Sequence, residues 1–307
     1  MKKIVLTLGC LLTLCASVAG QSSVYGISRI AYGTSSAAKG FAGTASTSET
    51  AWAAFTNAAS VPLSDKTFDS EFIYQQWAPD LSQSDCFGVA ASYKLLGKIG
   101  ISIAGVMRTG EDITGAMDEN GAPMADFTPK DYIIGLGVGY KFLDLLSVGV
   151  NVGYQQRKLY VNENLNAISF NAFVMAKAFG GSATLGVSNV GSQLSSGDKY
   201  DLPTSITLGI EYGYDFLKHH NVTVDVDFDY FIGDDSGVTL AGGLEYSFRK
   251  IVYVRGGYHY GTDDAFLPSF ATLGLGVRFL GIKLSGAYLV GSDYLDGTMT
   301  IGLGYQF

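Results

Sequence analysis

From residue 67 to the C-terminus the chain alternates between apolar and small or polar residues with a period of two. Val148, Val150, Val152 and Tyr154 fall on one face, with Ser147, Gly149, Asn151 and Gly153 on the other. Val222, Val224, Val226, Phe228 and Tyr230 alternate with Thr223, Asp225, Asp227 and Asp229. Met299, Ile301, Leu303, Tyr305 and Phe307 alternate with Thr298, Thr300, Gly302, Gly304 and Gln306. A period of two is a strand signal. It predicts strands over 67–76, 85–95, 98–108, 131–142, 145–157, 166–178, 181–190, 203–214, 220–231, 236–248, 251–261, 269–280, 281–291 and 298–307. A soluble sandwich also alternates. These runs are longer than the five or six residues usual in soluble sheets and match the roughly 9–11 that cross a bilayer. The polar face is also rich in glycine. Both features predict an all-β fold: a transmembrane antiparallel β-barrel of about 14 strands over residues 67–307, apolar side outward.

The connections alternate between short and long. The short ones, such as Leu95-Leu96-Gly97-Lys98, Phe179-Gly180-Gly181 and Phe279-Leu280-Gly281, mostly follow an aromatic pair such as Tyr140/Phe142 or Tyr246/Phe248. Aromatics repeated at one end of the strands read as an interfacial girdle, here on the periplasmic side. The longer set, 109–130, 158–165, 191–202, 231–236, 261–268 and 291–297, is expected to face the cell exterior. Within it Asp234/Asp235 and Asp263/Asp264 lack the ligand spacing of a dedicated calcium loop and read as solvated charge. The terminal aromatic Phe307 resembles the signal by which outer-membrane proteins are recognised by their insertion machinery.

Composition sharpens this picture. The chain has 307 residues with 40 Gly, 19 Tyr and 18 Phe, and only 16% of its residues are charged. Lys2 and Lys3, the apolar run Ile4–Leu14 and the small residues Ala16–Gly20 form an export leader over residues 1–20, too short to span a bilayer. Its removal takes the formal charge from −8 to −10. That balance excludes nucleic acid as the main partner, because phosphate binding needs a basic face. Cys86 is then the sole cysteine, so no intramolecular disulfide forms. Export and long strands together place the chain in the outer membrane of a Gram-negative bacterium, in contact with lipid.

Residues 21–66 do not continue the barrel pattern. They are dominated by Gly, Ala, Ser and Thr, with helix character expected around Glu49–Asn57 behind an N-cap at Thr47 or Ser48. Their small residues suit a plug inside the lumen, with Trp52 and Phe55 as anchors. The run Gly33-Thr-Ser-Ser-Ala-Ala-Lys-Gly40-Phe-Ala-Gly43, then Ala51-Trp-Ala-Ala-Phe-Thr-Asn57-Ala-Ala59, then about fourteen strands, resembles the PorV/PorQ family. That family is similar in fold to the FadL-type fatty-acid transporters. Relatives usually carry Asn-Pro-Ala where this chain has Asn57-Ala58-Ala59. The resemblance implies either passage of hydrophobic small molecules or a role in type IX secretion with secretion-system proteins as partners.

Candidate chemistry lies on the inward face. Gly135-Leu-Gly137-Val-Gly139 imitates a nucleotide loop but sits within a strand with no helix after it. His219 and His220 are adjacent in a turn and His259 stands apart, so neither a metal set nor a hydrolase triad is evident. No enzymatic role and no cofactor is expected. By parity Arg108, Lys141, Glu211, Asp225, Asp227, Asp229, Glu245, Arg255 and Arg278 line the lumen. They form either an ionic network fixing the plug, with Arg29 or Lys39 as partners, or a charge-selective path. Phe173 and Met175 also face inward, and either open a hydrophobic pocket or pack on Trp52 and Phe55. An arginine at inward Asn151 is expected to be milder than one at outward Val150. The functions carried forward are a conduit for hydrophobic small molecules, then a secretion accessory, then a simple diffusion porin.

Overall fold

The computed structural model describes residues 25–79, 83–114, 125–160, 163–195, 200–232, 237–262, 267–292 and 295–307. The leader, Asn120 and the pairs Asp234/Asp235 and Asp263/Asp264 lie outside them. Fourteen strands follow one another: β1 (Phe68–Trp77), β2 (Ser84–Leu95), β3 (Ile99–Thr109), β4 (Lys130–Leu143), β5 (Leu146–Tyr160), β6 (Glu163–Ala178) and β7 (Gly181–Gln193), then β8 (Ser205–Leu217), β9 (His220–Phe231), β10 (Val238–Phe248), β11 (Val252–Gly261), β12 (Phe270–Phe279), β13 (Ile282–Val290) and β14 (Met299–Gln306). Each pairs antiparallel with its sequence neighbours, and β1 pairs with β14, so the sheet closes on itself. Closure satisfies every edge, which a hydrocarbon surround requires.

Alternation sets the two faces. On β4, Tyr132, Ile134, Leu136, Val138 and Tyr140 are exposed, while Ile133 between them is buried, as are the positions of Gly135, Gly137 and Gly139. Val150 is 60% exposed and the next residue, Asn151, only 3%. The outer wall is therefore a continuous apolar surface of the kind lipid covers.

Hairpin turns close one end tightly. Leu96-Gly97, Phe179-Gly180, Arg249-Lys250 and Leu280-Gly281 each place two successive residues at positive φ. That twist matches the right-handed twist of flanking strands. At the other end the long connection expected over 158–165 is absent. β5 runs to Tyr160 and β6 starts at Glu163, with Lys158 paired to Asn164. The ladder continues through Lys158 and, after a register shift, to Tyr160 opposite Glu163. Beyond β3 and β4, Ile113 and Phe127 form a further antiparallel bridge.

Residues 25–64 pack against the inward rows of the strands. They contain a 3-10 turn at Gly26–Arg29, one helical turn α1 (Thr34–Ala37) and a 3-10 helix at Ala58–Leu63. The helix expected at Glu49–Asn57 does not form; Ala51–Phe55 are turns. Its would-be first donors, Thr50 N and Ala51 N, bond Asp69 Oδ2 at 2.7 and 3.1 Å. The carbonyls of Ala53 and Ala54 accept from Asn151 Nδ2 at 2.7 and 2.9 Å. Asn151 thus takes carbonyls that a helix would have paired, while Asp69 holds donors that a helix start leaves free. Asn57 instead caps the following 3-10 helix, its Oδ1 accepting from Ala59 N at 2.9 Å. Asn-Ala-Ala makes this turn without proline.

Glycine on the strands gives this segment room. A Cβ at Gly243 would meet the Lys39 backbone, and one at Gly139 would meet the backbone of Ala58. Gly40, at φ +67°, lies against the Tyr258 backbone, where a side chain would collide with its N and O at 2.6 Å. Backbone therefore approaches backbone with nothing between.

Candidate functional site

Three charge clusters lie on the inward face, and two of them hold the segment to the barrel. At mid-height β9 supplies three inward acids. Asp225 pairs with Lys39 Nζ at 2.7 Å, and Asp229 with Arg29 at 2.9 Å. Asp227 Oδ2 accepts from Gly43 N, Thr44 N and Thr44 Oγ1 at 2.7–2.8 Å. Burial alone would lower the pKa of Lys39, but Asp225, with Glu245 and Glu211 behind it, outweighs that and raises it. Glu211 is buried beside this cluster, and its Oε2 has no hydrogen-bond partner among the described residues.

The second cluster centres on Glu49, which the parity argument could not reach. It bonds Lys283 at 2.9 Å, Arg278, and Arg255 at 3.7 Å. Arg255 also pairs with Glu245 at 2.6 Å, and Lys283 with Asp69 at 2.5 Å. Burial pushes the Glu49 carboxyl up, yet Lys283, Arg278 and Arg255 together hold it well below the usual carboxylate range. The third cluster joins Arg108 and Arg157 to Asp131. Lys141 enters none of these; it sits half-buried near the turn after β4. Asp69 and Lys283 were within reach of the parity reading, on the inward rows of the first and thirteenth strands. Glu49 carried no such signal, lying in irregular chain.

The aromatics divide differently from expectation. Phe173 and Met175 pack on Ala45, Ala59 and Leu63. They do not join Trp52 and Phe55, which cluster with Tyr32 at ring separations of 5.9–6.0 Å. Trp52 Nε1 donates to Glu71 Oε2 at 2.6 Å, and Thr34 Oγ1 bonds the other oxygen. His259 is buried and stacked on Phe270 at 4.8 Å. Its Nδ1 lies 3.3 Å from Gly40 O. Phe307 stacks on Phe68 at 5.5 Å, at the barrel seam.

Between the segment and the wall remains a cavity of about 150 Å³. Tyr32, Phe41, Trp52, Phe55, Phe173 and Phe231 give it aromatic walls. Its charged lining comprises two bases, Arg29 and Lys39, and four acids, Glu49, Glu71, Asp227 and Asp229. Both bases are taken up in ion pairs, whereas Glu71 and Asp227 meet neutral donors.

No family model and no curated protein matches the sequence. Solved structures do match in shape. The Ralstonia pickettii toluene transporter TbuX superimposes with a TM-score of 0.59 at 14% identity, over 90% of this chain and 97% of its own. The P. putida toluene transporter TodX gives 0.58 at 13%, over 90% and 98%. A Pseudomonas aeruginosa FadL homologue gives 0.55 at 12%, over 94% and 97%. The fold is that of the FadL-type barrels. At such identities the likeness extends to architecture, and no match supports the PorV/PorQ assignment.

Proposed function

We propose that this chain is an outer-membrane conduit for small hydrophobic molecules, with residues 25–64 acting as its hatch. The observation that carries the reading is the aromatic cavity between segment and wall. Its volume of about 150 Å³ equals that of engineered apolar cavities that bind benzene. That volume suits a single ring. The acid excess of the lining, with both bases already paired, disfavours a carboxylate ligand. The solved FadL-type proteins named for toluene transport agree with a one-ring ligand, and extending this to the present chain belongs to the proposal.

The test is the fluorescence of Trp52 in a Trp77→Phe variant. Toluene should perturb it saturably, and benzoate should bind at least about tenfold more weakly, the equivalent of 1.4 kcal/mol. No response to toluene would sink the conduit reading. A secretion-accessory role is the second reading, favoured by the close backbone contact of the segment with the wall at Gly40 and Gly139.

A further inference from the structure

The turn end of the barrel is basic. Lys98, Lys218, Arg249 and Lys250 are exposed there and pair with no carboxylate among the described residues. Lys177 is offset by Asp65 at 3.1 Å. The turns after β8 and β10 lie side by side, joined by a hydrogen bond from Arg249 N to His219 O of 2.7 Å. Together they line a shallow hollow carrying Lys218, His219, Arg249 and Lys250, with Asp215 as its acid.

Two further observations give this patch a purpose. In three of the four turns with paired positive φ, the second residue is glycine: Gly97, Gly180 and Gly281. Arg249 and Lys250 hold φ +56° and +55° instead, without a glycine. Left-handed backbone is unfavourable for side-chain-bearing residues, so two cations are kept at positions where Asn-Gly would be more stable. Such retained strain points to a use for the charge. The height of the patch names its partner. Phe216 and Phe248 are exposed on the lipid-facing wall immediately beside it, and the Arg249 guanidinium lies 5.4 Å over the Phe248 ring. Aromatics of this kind mark the headgroup level of a bilayer. The cations therefore stand where lipid phosphates lie.

We propose that the paired turns 215–221 and 247–250 bind the phosphate of an anionic phospholipid in the adjoining leaflet. The proposal rests on the membrane reading but not on what the cavity carries. The full chain would be equilibrated in vesicles of equal phosphatidylglycerol and phosphatidylcholine, then released for native mass spectrometry. Phosphatidylglycerol should be retained preferentially, by roughly fivefold for each cation that reaches the headgroups. The preference should weaken at high salt. The double variant Arg249→Asn, Lys250→Gly installs a favourable hairpin turn, so its folding is not at risk; it should lose most of the preference. Adding Lys218→Gln should remove the rest. Equal retention of the two lipids by the native chain overturns the proposal, as does a preference undiminished in the variants. Failure of the barrel to enter vesicles at all would instead defeat the membrane reading.

Discussion

Asn151 shows what an inward position costs. Besides donating to Ala53 O and Ala54 O, it accepts from Ala58 N at 3.2 Å. The lumen side here is filled by chain instead of water, which argues against arginine being milder at Asn151 than at Val150. Val150→Arg should cost about 2–4 kcal/mol near the bilayer midplane. Asn151→Arg should cost at least as much, measured by reversible unfolding in lipid; a clearly milder effect would mean the segment does not occupy this space. Lys39 is a second such residue. Lys39→Met strands the Asp225 charge and should cost about 3–5 kcal/mol. Adding Asp225→Asn should recover most of that loss. If the double variant is as unstable as the single, packing around Lys39 matters more than its charge.

Strands were legible because a period of two survives any tertiary context that buries one face. The stretch Ser147–Tyr154 announces both its conformation and which side chains point inward. The segment before β1 offered no such regularity. The helix expected near Glu49 rested on local propensity, and Asn151, distant in sequence, overrode it by claiming the Ala53 and Ala54 carbonyls. Glu49 as the hub of three bases was likewise invisible, since its partners come from β11, β12 and β13. Glycine-rich faces were visible, but not what they accommodate. Gly243→Val on β10 and Gly139→Val on β4 should each push the segment off the wall, the first at Lys39 and the second at Ala58. Limited proteolysis within residues 25–64 should become faster in both variants, while heat-modifiable gel migration of the barrel stays unchanged. Unaltered cleavage would show that the close approach is not required.

On the scale of the whole molecule, the segment and the barrel should separate functionally. A chain beginning at Ser64 should still insert and should conduct more than the mature chain in planar bilayers; equal conductance would place the segment outside the permeation path. The Lys39 and Glu49 ion pairs should keep their stabilising contribution between about pH 5 and 9, so limited proteolysis within residues 25–64 should not be accelerated through loss of either pair in that range. The raised pKa of Lys39 keeps its contribution fully present below the unfolded value of about 10.4, and it is lost only as pH rises through the folded value. The depressed pKa of Glu49 keeps its contribution above the unfolded value of about 4.3, and it is lost only as pH falls through the folded one. Orientation is checked by an impermeant maleimide on intact cells, against a native thiol, Cys86, that is buried. Asp112→Cys should label and Lys218→Cys should not; the reverse would invert the topology.

The seam between β1 and β14 has a temporal consequence. Thr67 N and Phe68 N both bond Phe307 O, and Phe307 N bonds Phe68 O, so the first strand is locked to the fourteenth. The ring therefore cannot be sealed until β14 is in place, and until then β1 presents an open edge. Residues 25–64 stand directly ahead of that seam. They are either wrapped as the final pair zips shut or threaded in afterwards through the turn end. The Lys39 and Glu49 ion pairs, each needing partners from the second half of the chain, are then among the last contacts the molecule makes.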